Sequence, residues 1–218
     1  MTDSSVTGGS VAADGRPPFG AVLCDVDNVI RSFDSSRLEA LERAAGIAEG
    51  TTKKVAFAPE TDQPLLLGEI TSQEWAERIA DGLAGLIPEP QTAYELALAL
   101  LESPFHADDE VVALLRRARI RVPVVLVSNA SLDLESDLDS LGLTDLADHV
   151  VNSARVGLAK PDPRIYHHAA DLTGVPLERC LFVDDSEENV EAAAALGMRT
   201  VHFREVADLE RALESLFT

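Results

Sequence analysis

The apolar run Ala21-Val22-Leu23-Cys24 breaks off at Asp25 and Asp27, two carboxylates one residue apart. So uniformly apolar a stretch suits a strand covered on both faces, and such strands belong to parallel sheets wrapped by helices. Acids at the carboxyl end of a buried strand place negative charge at the mouth of the sheet, where unpaired charge is costly. The run Leu181-Phe182-Val183 ends in the same way on Asp184 and Asp185. Acids gathered at neighbouring strand ends repel one another unless they are protonated or bridged by a cation, and a set of carboxylate oxygens suits a hard divalent metal.

Further strands are expected at Pro123 to Val127, His149 to Val151 and Thr200 to Phe203. Helical patterns separate them: Asp109 to Ala118 opened by Asp108, a helix opened by Ser131 or Asp133 and closed at Gly142, and Pro163 to Ala170. Glu187 to Leu196 follows, with Ser186 as its cap and Gly197 beyond its end, then a last helix from about Ala207 to Phe217. This alternation predicts an α/β fold, a Rossmann-like parallel sheet flanked by helices.

Between the first and second strands roughly ninety residues pass without a convincing strand, far more than a crossover helix requires. Helices are expected at Ser36 to Ala45, Ser72 to Gly82 and Gln91 to Glu102, with Thr71 and Glu74 as a capping box for the middle one. Pro59, Pro64, Pro88, Pro90 and Pro104 punctuate them. The expected organisation is a flexible tail over 1–18, an α/β core over 19–34 and 105–218, and an inserted α-helical cap over 35–104 that overhangs the strand ends as a lid.

Eighteen basic against 38 acidic residues give a formal charge of −20, which argues against a nucleic-acid partner. An anionic substrate would have to be captured by local features. No run is long enough to span a bilayer, and the segment from Met1 to Pro18 has no apolar leader core, so a cytoplasmic protein is expected. Cys24 and Cys180 each fall inside an apolar strand and read as core thiols in a reducing compartment.

Four elements occur in fixed order: Asp25-Val26-Asp27, Ser128-Asn129, Lys160-Pro161-Asp162-Pro163 and Asp184-Asp185-Ser186. All but the lysine fall at carboxyl ends of expected strands, where open parallel sheets bind ligands. With Gly157-Leu158-Ala159 before the lysine and Glu187-Glu188-Asn189 after the last acids, the chain resembles the haloacid dehalogenase superfamily from about Ala21 to Phe217. It is most similar to the phosphatase branch whose small helical cap follows the first motif. The resemblance implies that Asp25 attacks phosphorus and that Asp27 protonates the leaving group and then activates water. It implies magnesium held by Asp25, Asp184 and the backbone carbonyl of Asp27, with Asp185 near it, holding a metal-bound water or Lys160. Ser128, Asn129 and neighbouring backbone N–H groups would bind phosphoryl oxygens, and Lys160 would neutralise nucleophile and phosphate.

The implied activity is magnesium-dependent hydrolysis of a small phosphorylated metabolite. A dehalogenase needs no acid two residues after the nucleophile, so Asp27 favours phosphoryl chemistry. A sugar-phosphate mutase and a non-catalytic phospho-ligand-binding or signalling protein remain alternatives, although a receiver module would carry its acidic pair and its phosphorylated aspartate in the opposite order. The oligomeric state is not legible. Asn28 stands where the family commonly has glycine, a position at which asparagine tolerates left-handed backbone angles. Asn189 reads as helix surface. His106, His149, His167, His168 and His202 read as surface or satisfied residues, and Arg31 and Phe33 either touch substrate or pack.

Overall fold

A computed structural model describes residues 18–217. The tail expected over 1–18 lies, but for its last residue, outside the described residues. In chain order the strands are β1 (Ala21–Cys24), β2 (Arg31–Phe33), β3 (Phe105–Ala107), β4 (Val124–Ser128), β5 (His149–Asn152), β6 (Cys180–Asp184) and β7 (Arg199–His202). The helices are α1 (Ser36–Ala44), α2 (Thr51–Ala56), α3 (Pro59–Leu66), α4 (Ser72–Leu83) and α5 (Pro90–Leu101), all between β2 and β3. They continue with α6 (Asp109–Arg119), α7 (Leu134–Ser140), α8 (Ser153–Val156), α9 (Pro163–Thr173), α10 (Glu187–Ala195) and α11 (Val206–Phe217).

Five strands form a parallel sheet in the order β5-β4-β1-β6-β7, the expected α/β architecture. Alternation along each strand divides the core. Val22, Cys24, Val124, Leu126 and Val183 face α6, α7 and α11, whereas Ala21, Leu23, Val125, Val127 and Phe182 face α9 and α10. Burial on both faces explains why β1 carries no polar residue and why β4 and β6 carry none before their last position, whereas the edge strands β5 and β7 begin on exposed His149 and Arg199. β4 and β6 run one residue further than expected and end on Ser128 and Asp184, so the polar group is the last rung of the ladder.

The five helices between β2 and β3 enclose an apolar cluster of their own, with Leu38, Trp75, Ile79, Leu83 and Leu96 at its centre. The capping box of Thr71 and Glu74 forms. Within the insertion α2 and α3 were not expected: α2 has only six residues, too few to show a helical period, and at α3 prolines read as breaks, whereas Pro59 opens α3 at a position that needs no N–H and Pro64 sits within it. β2 and β3 pair antiparallel at the base of the insertion and were also missed, since three residues carry too little periodicity to register as a strand. Ser186 occupies the N-cap position of α10 but makes no side-chain capping bond, a correction to its expected role.

The insertion touches the core beyond the sheet. Ser72 at the start of α4 donates a hydrogen bond to Asp133 in the loop after β4. Gly68, with φ of +71°, approaches so closely that a Cβ there would lie 2.3 Å from the Ala154 carbonyl oxygen. Among the described residues no helix is long and apolar enough to cross a membrane.

Candidate active site

β1 is central, so the residues that follow it face those that end β4 on one side and β6 on the other. The Asp25 N–H still pairs with the Val183 carbonyl at 2.9 Å, which carries the first acid to the level of Asp184. Between them lies Lys160, its Nζ 2.8 Å from Asp25 Oδ1 and 2.7 Å from Asp184 Oδ2. All three side chains are buried. Burial alone would lower the lysine pKa, but Asp25 and Asp184 outweigh it and hold the ammonium above its ordinary value. Burial pushes the Asp25 carboxyl up to about 7; Lys160 opposes that rise, and the charge of Asp184 adds to it.

Each member of this trio is held by further bonds. Val26 N–H donates to Asp25 Oδ1 at 2.7 Å, which leaves the other carboxylate oxygen of Asp25 for a ligand. The Asn129 amide accepts from Lys160 N–H at 2.7 Å and donates to the Lys160 carbonyl at 2.8 Å. Its side chain is therefore engaged in shaping the lysine loop. Asp184 Oδ1 accepts from Ser186 N–H at 2.9 Å and from Asn189 Nδ2 at 3.0 Å. Asn189 is buried, contrary to the surface reading, because the first turn of α10 folds back over the end of β6. Its place five residues after Asp184, in a helix whose first turn faces the strand end, is the signal that could have found it. The Tyr166 hydroxyl donates to the Asn189 carbonyl at 3.0 Å and fastens that turn from α9.

Asp25, Asp184 and Asp185 each offer a carboxylate oxygen, all within 4.8 Å of one another. This hard oxygen set fits magnesium, and the single lysine leaves negative charge uncompensated among three acids. Asp185 does not bond Lys160; its Oδ2 accepts from Asn28 Nδ2 at 3.0 Å, and His202 Nε2 donates to its carbonyl at 2.9 Å. Burial raises its pKa, and the bond from Asn28 opposes that shift. Asn28 adopts φ of +59°, the left-handed conformation anticipated for it.

Asp27 stands outside the carboxylate cluster, with its side chain turned to Arg31. Ser128 is fully buried and its hydroxyl has no hydrogen-bond partner. An unpaired buried polar atom costs about 1–3 kcal/mol, a penalty that a ligand oxygen would relieve. Cys24 and Cys180 are buried free thiols, both with pKa values raised chiefly by burial, as core cysteines should be. His167 and His168 are exposed.

Comparison with known proteins gives the family and the fold. A model of the haloacid dehalogenase-like hydrolases matches residues 19–197. The chain belongs to that family. This haloacid dehalogenase-like hydrolase is 31% identical over 203 residues to Phosphatase MT3486 of Mycobacterium tuberculosis, covering 83% of this chain and 85% of that protein. A 76-residue stretch is 38% identical to GMP/IMP nucleotidase YrfG of Escherichia coli, covering 34% of each. A HAD family enzyme of Bacteroides thetaiotaomicron, solved with magnesium and inorganic phosphate, shares the fold with a TM-score of 0.64 at 19% identity, over 85% of this chain and 94% of that one. L-2-haloacid dehalogenase from Xanthobacter autotrophicus, with chloropropionic acid covalently bound, gives 0.61 at 21% identity, over 90% and 83%.

Proposed function

We propose that this hydrolase is a magnesium-dependent phosphomonoesterase acting on a small phosphorylated metabolite in the cytoplasm. The observation that carries the reading is the pairing of two differently placed acids. Asp25 lies in the Lys160–Asp184–Asp185 cluster, and Asp27, two residues on, stays outside it. The fold is shared by magnesium-bound and dehalogenating enzymes alike, so the choice between them rests on that second acid. The buried thiols fit a reducing compartment.

The free oxygen of Asp25 attacks phosphorus in line; an O–P bond forms to the aspartate while the ester P–O bond breaks. Asp27 gives a proton to the departing alkoxide. In the second half it takes a proton from water, whose oxygen attacks the aspartyl-phosphate, releasing phosphate and restoring Asp25. The Ser128 hydroxyl and the backbone N–H of Asn129 would bond phosphoryl oxygens, and Lys160 would screen charge on nucleophile and phosphate. Magnesium, held by Asp25, Asp184, Asp185 and the Asp27 carbonyl, would supply electrostatic stabilisation of the transferring group.

The test is phosphate release from an aryl phosphate. Asp25→Asn should abolish it with an unchanged far-UV circular dichroism spectrum, and chelation should stop the wild-type protein. Undiminished turnover in either experiment would overturn the reading. A panel of phosphorylated metabolites then identifies the substrate.

A further inference from the structure

We propose that Arg31 is a positioning residue for Asp27, fixing the carboxyl that serves the leaving group; the proposal rests on the acid–base role given to Asp27 above. The backbone from Val26 to Arg31 folds back on itself, with Asn28 N–H donating to the Arg31 carbonyl at 2.7 Å and Arg31 N–H to the Val26 carbonyl at 3.0 Å. The arginine side chain consequently leaves the chain beside the aspartate. Its Nε–H donates to Asp27 Oδ1, and its Nη1–H donates at 2.7 Å to Asp137 Oδ2 on α7.

The guanidinium itself cannot drift. Arg31 is only 5% exposed, and its Cζ lies 5.0 Å from the Phe33 ring centroid and 5.1 Å from that of Phe105. Those rings come from β2 and β3 and meet edge to face at 5.8 Å. A planar fork gripped by two rings and a second acid presents one donor to Asp27 in a single orientation, which a flexible ammonium would not do. Asp27 Oδ1 is thereby occupied, while its Oδ2 receives no hydrogen bond from another described residue and is left for the substrate oxygen. Misplacement of a reacting group by about 1 Å can cost about a hundredfold in rate, so this restraint acts on catalysis as well as on packing.

The experiment compares kcat/KM for an alkyl phosphate, whose leaving group needs a proton, with that for 4-nitrophenyl phosphate, whose leaving group needs one far less. Arg31→Gln should lose about 10- to 100-fold more with the alkyl ester than with the aryl ester, within the usual worth of a general acid. Asp137→Asn keeps the arginine and its ring contacts, and should show the same selectivity on a smaller scale should Arg31→Gln not fold. In an Asp27→Asn background, Arg31→Gln should add no further selective loss. Equal losses on both esters, or none, in a folded Arg31 or Asp137 variant would overturn the proposal while Asp27→Asn still shows selective loss. Absence of selective loss in Asp27→Asn itself would instead remove the acid–base reading.

Discussion

Asn129 clasps Lys160 by its backbone, donating to the lysine carbonyl at 2.8 Å and accepting from the lysine N–H at 2.7 Å. The end of β4 thus sets the height of a lysine 31 residues away in sequence. Asn129→Ala leaves a peptide group in this half-buried loop without partners, which should cost about 2–3 kcal/mol of stability by urea denaturation. Turnover should fall beyond what the lost stability explains, because the ammonium no longer sits between its two carboxylates.

Replacing Lys160 itself removes the cation from two buried acids. Loss of one partner from a buried ionic cluster costs about 3–5 kcal/mol, so Lys160→Met should melt far below the wild type and be inactive. Magnesium should raise the melting temperature of both proteins, by the equivalent of about 2.7 kcal/mol at a hundredfold excess over Kd. Asp184→Asn should lose most of that response, read by differential scanning fluorimetry.

Asp62, in α3, carries a carboxyl that burial pushes up to about 6, with no opposing partner. Below the unfolded value near 4 the group is protonated in both states and its titration has no effect on stability. Between about 4 and 6 the unfolded chain releases the proton while the folded chain keeps it, so stability falls as pH rises, and the penalty is complete above about 6. Asp62→Asn should therefore stabilise the protein at pH 8 by about 1–2 kcal/mol, discounted for partial exposure, and at pH 4 by much less. Denaturation midpoints at the two pH values decide it.

Gly68→Ala tests how the helical insertion is seated. The added methyl would meet the Ala154 carbonyl oxygen at 2.3 Å, in a backbone conformation that alanine adopts at a cost of about 1 kcal/mol or more. A raised KM together with a lowered melting temperature is expected, since the contact between insertion and core must open.

What was readable in advance follows from how strongly a residue's neighbours in sequence constrain it. β1, β4 and β6 announced themselves because burial on both faces demands unbroken apolar runs, and the polar residue ending each run marked the site. Asp25, Lys160 and Asp184 meet as their order in the chain implied. The clasp of Asn129 had no sequence signal, because an amide in a loop reads as polar surface until the fold supplies its partner, and Asn189 had only its spacing from Asp184 to set against the same surface reading. The strands β2 and β3 exist through each other and through the arginine between their rings, not through any pattern of their own. α3 hid behind prolines whose usual meaning is termination.

The central place of β1 also governs when the catalyst can come into being. Asp25 directly follows β1, yet Asp185, the partner of Asn28 across the site, is synthesised 157 residues after Asn28. A nascent chain halted before β6 would carry Asp25 with one edge of its strand bare, so the cluster of Asp25, Lys160 and Asp184 can assemble only once β6 has left the ribosome.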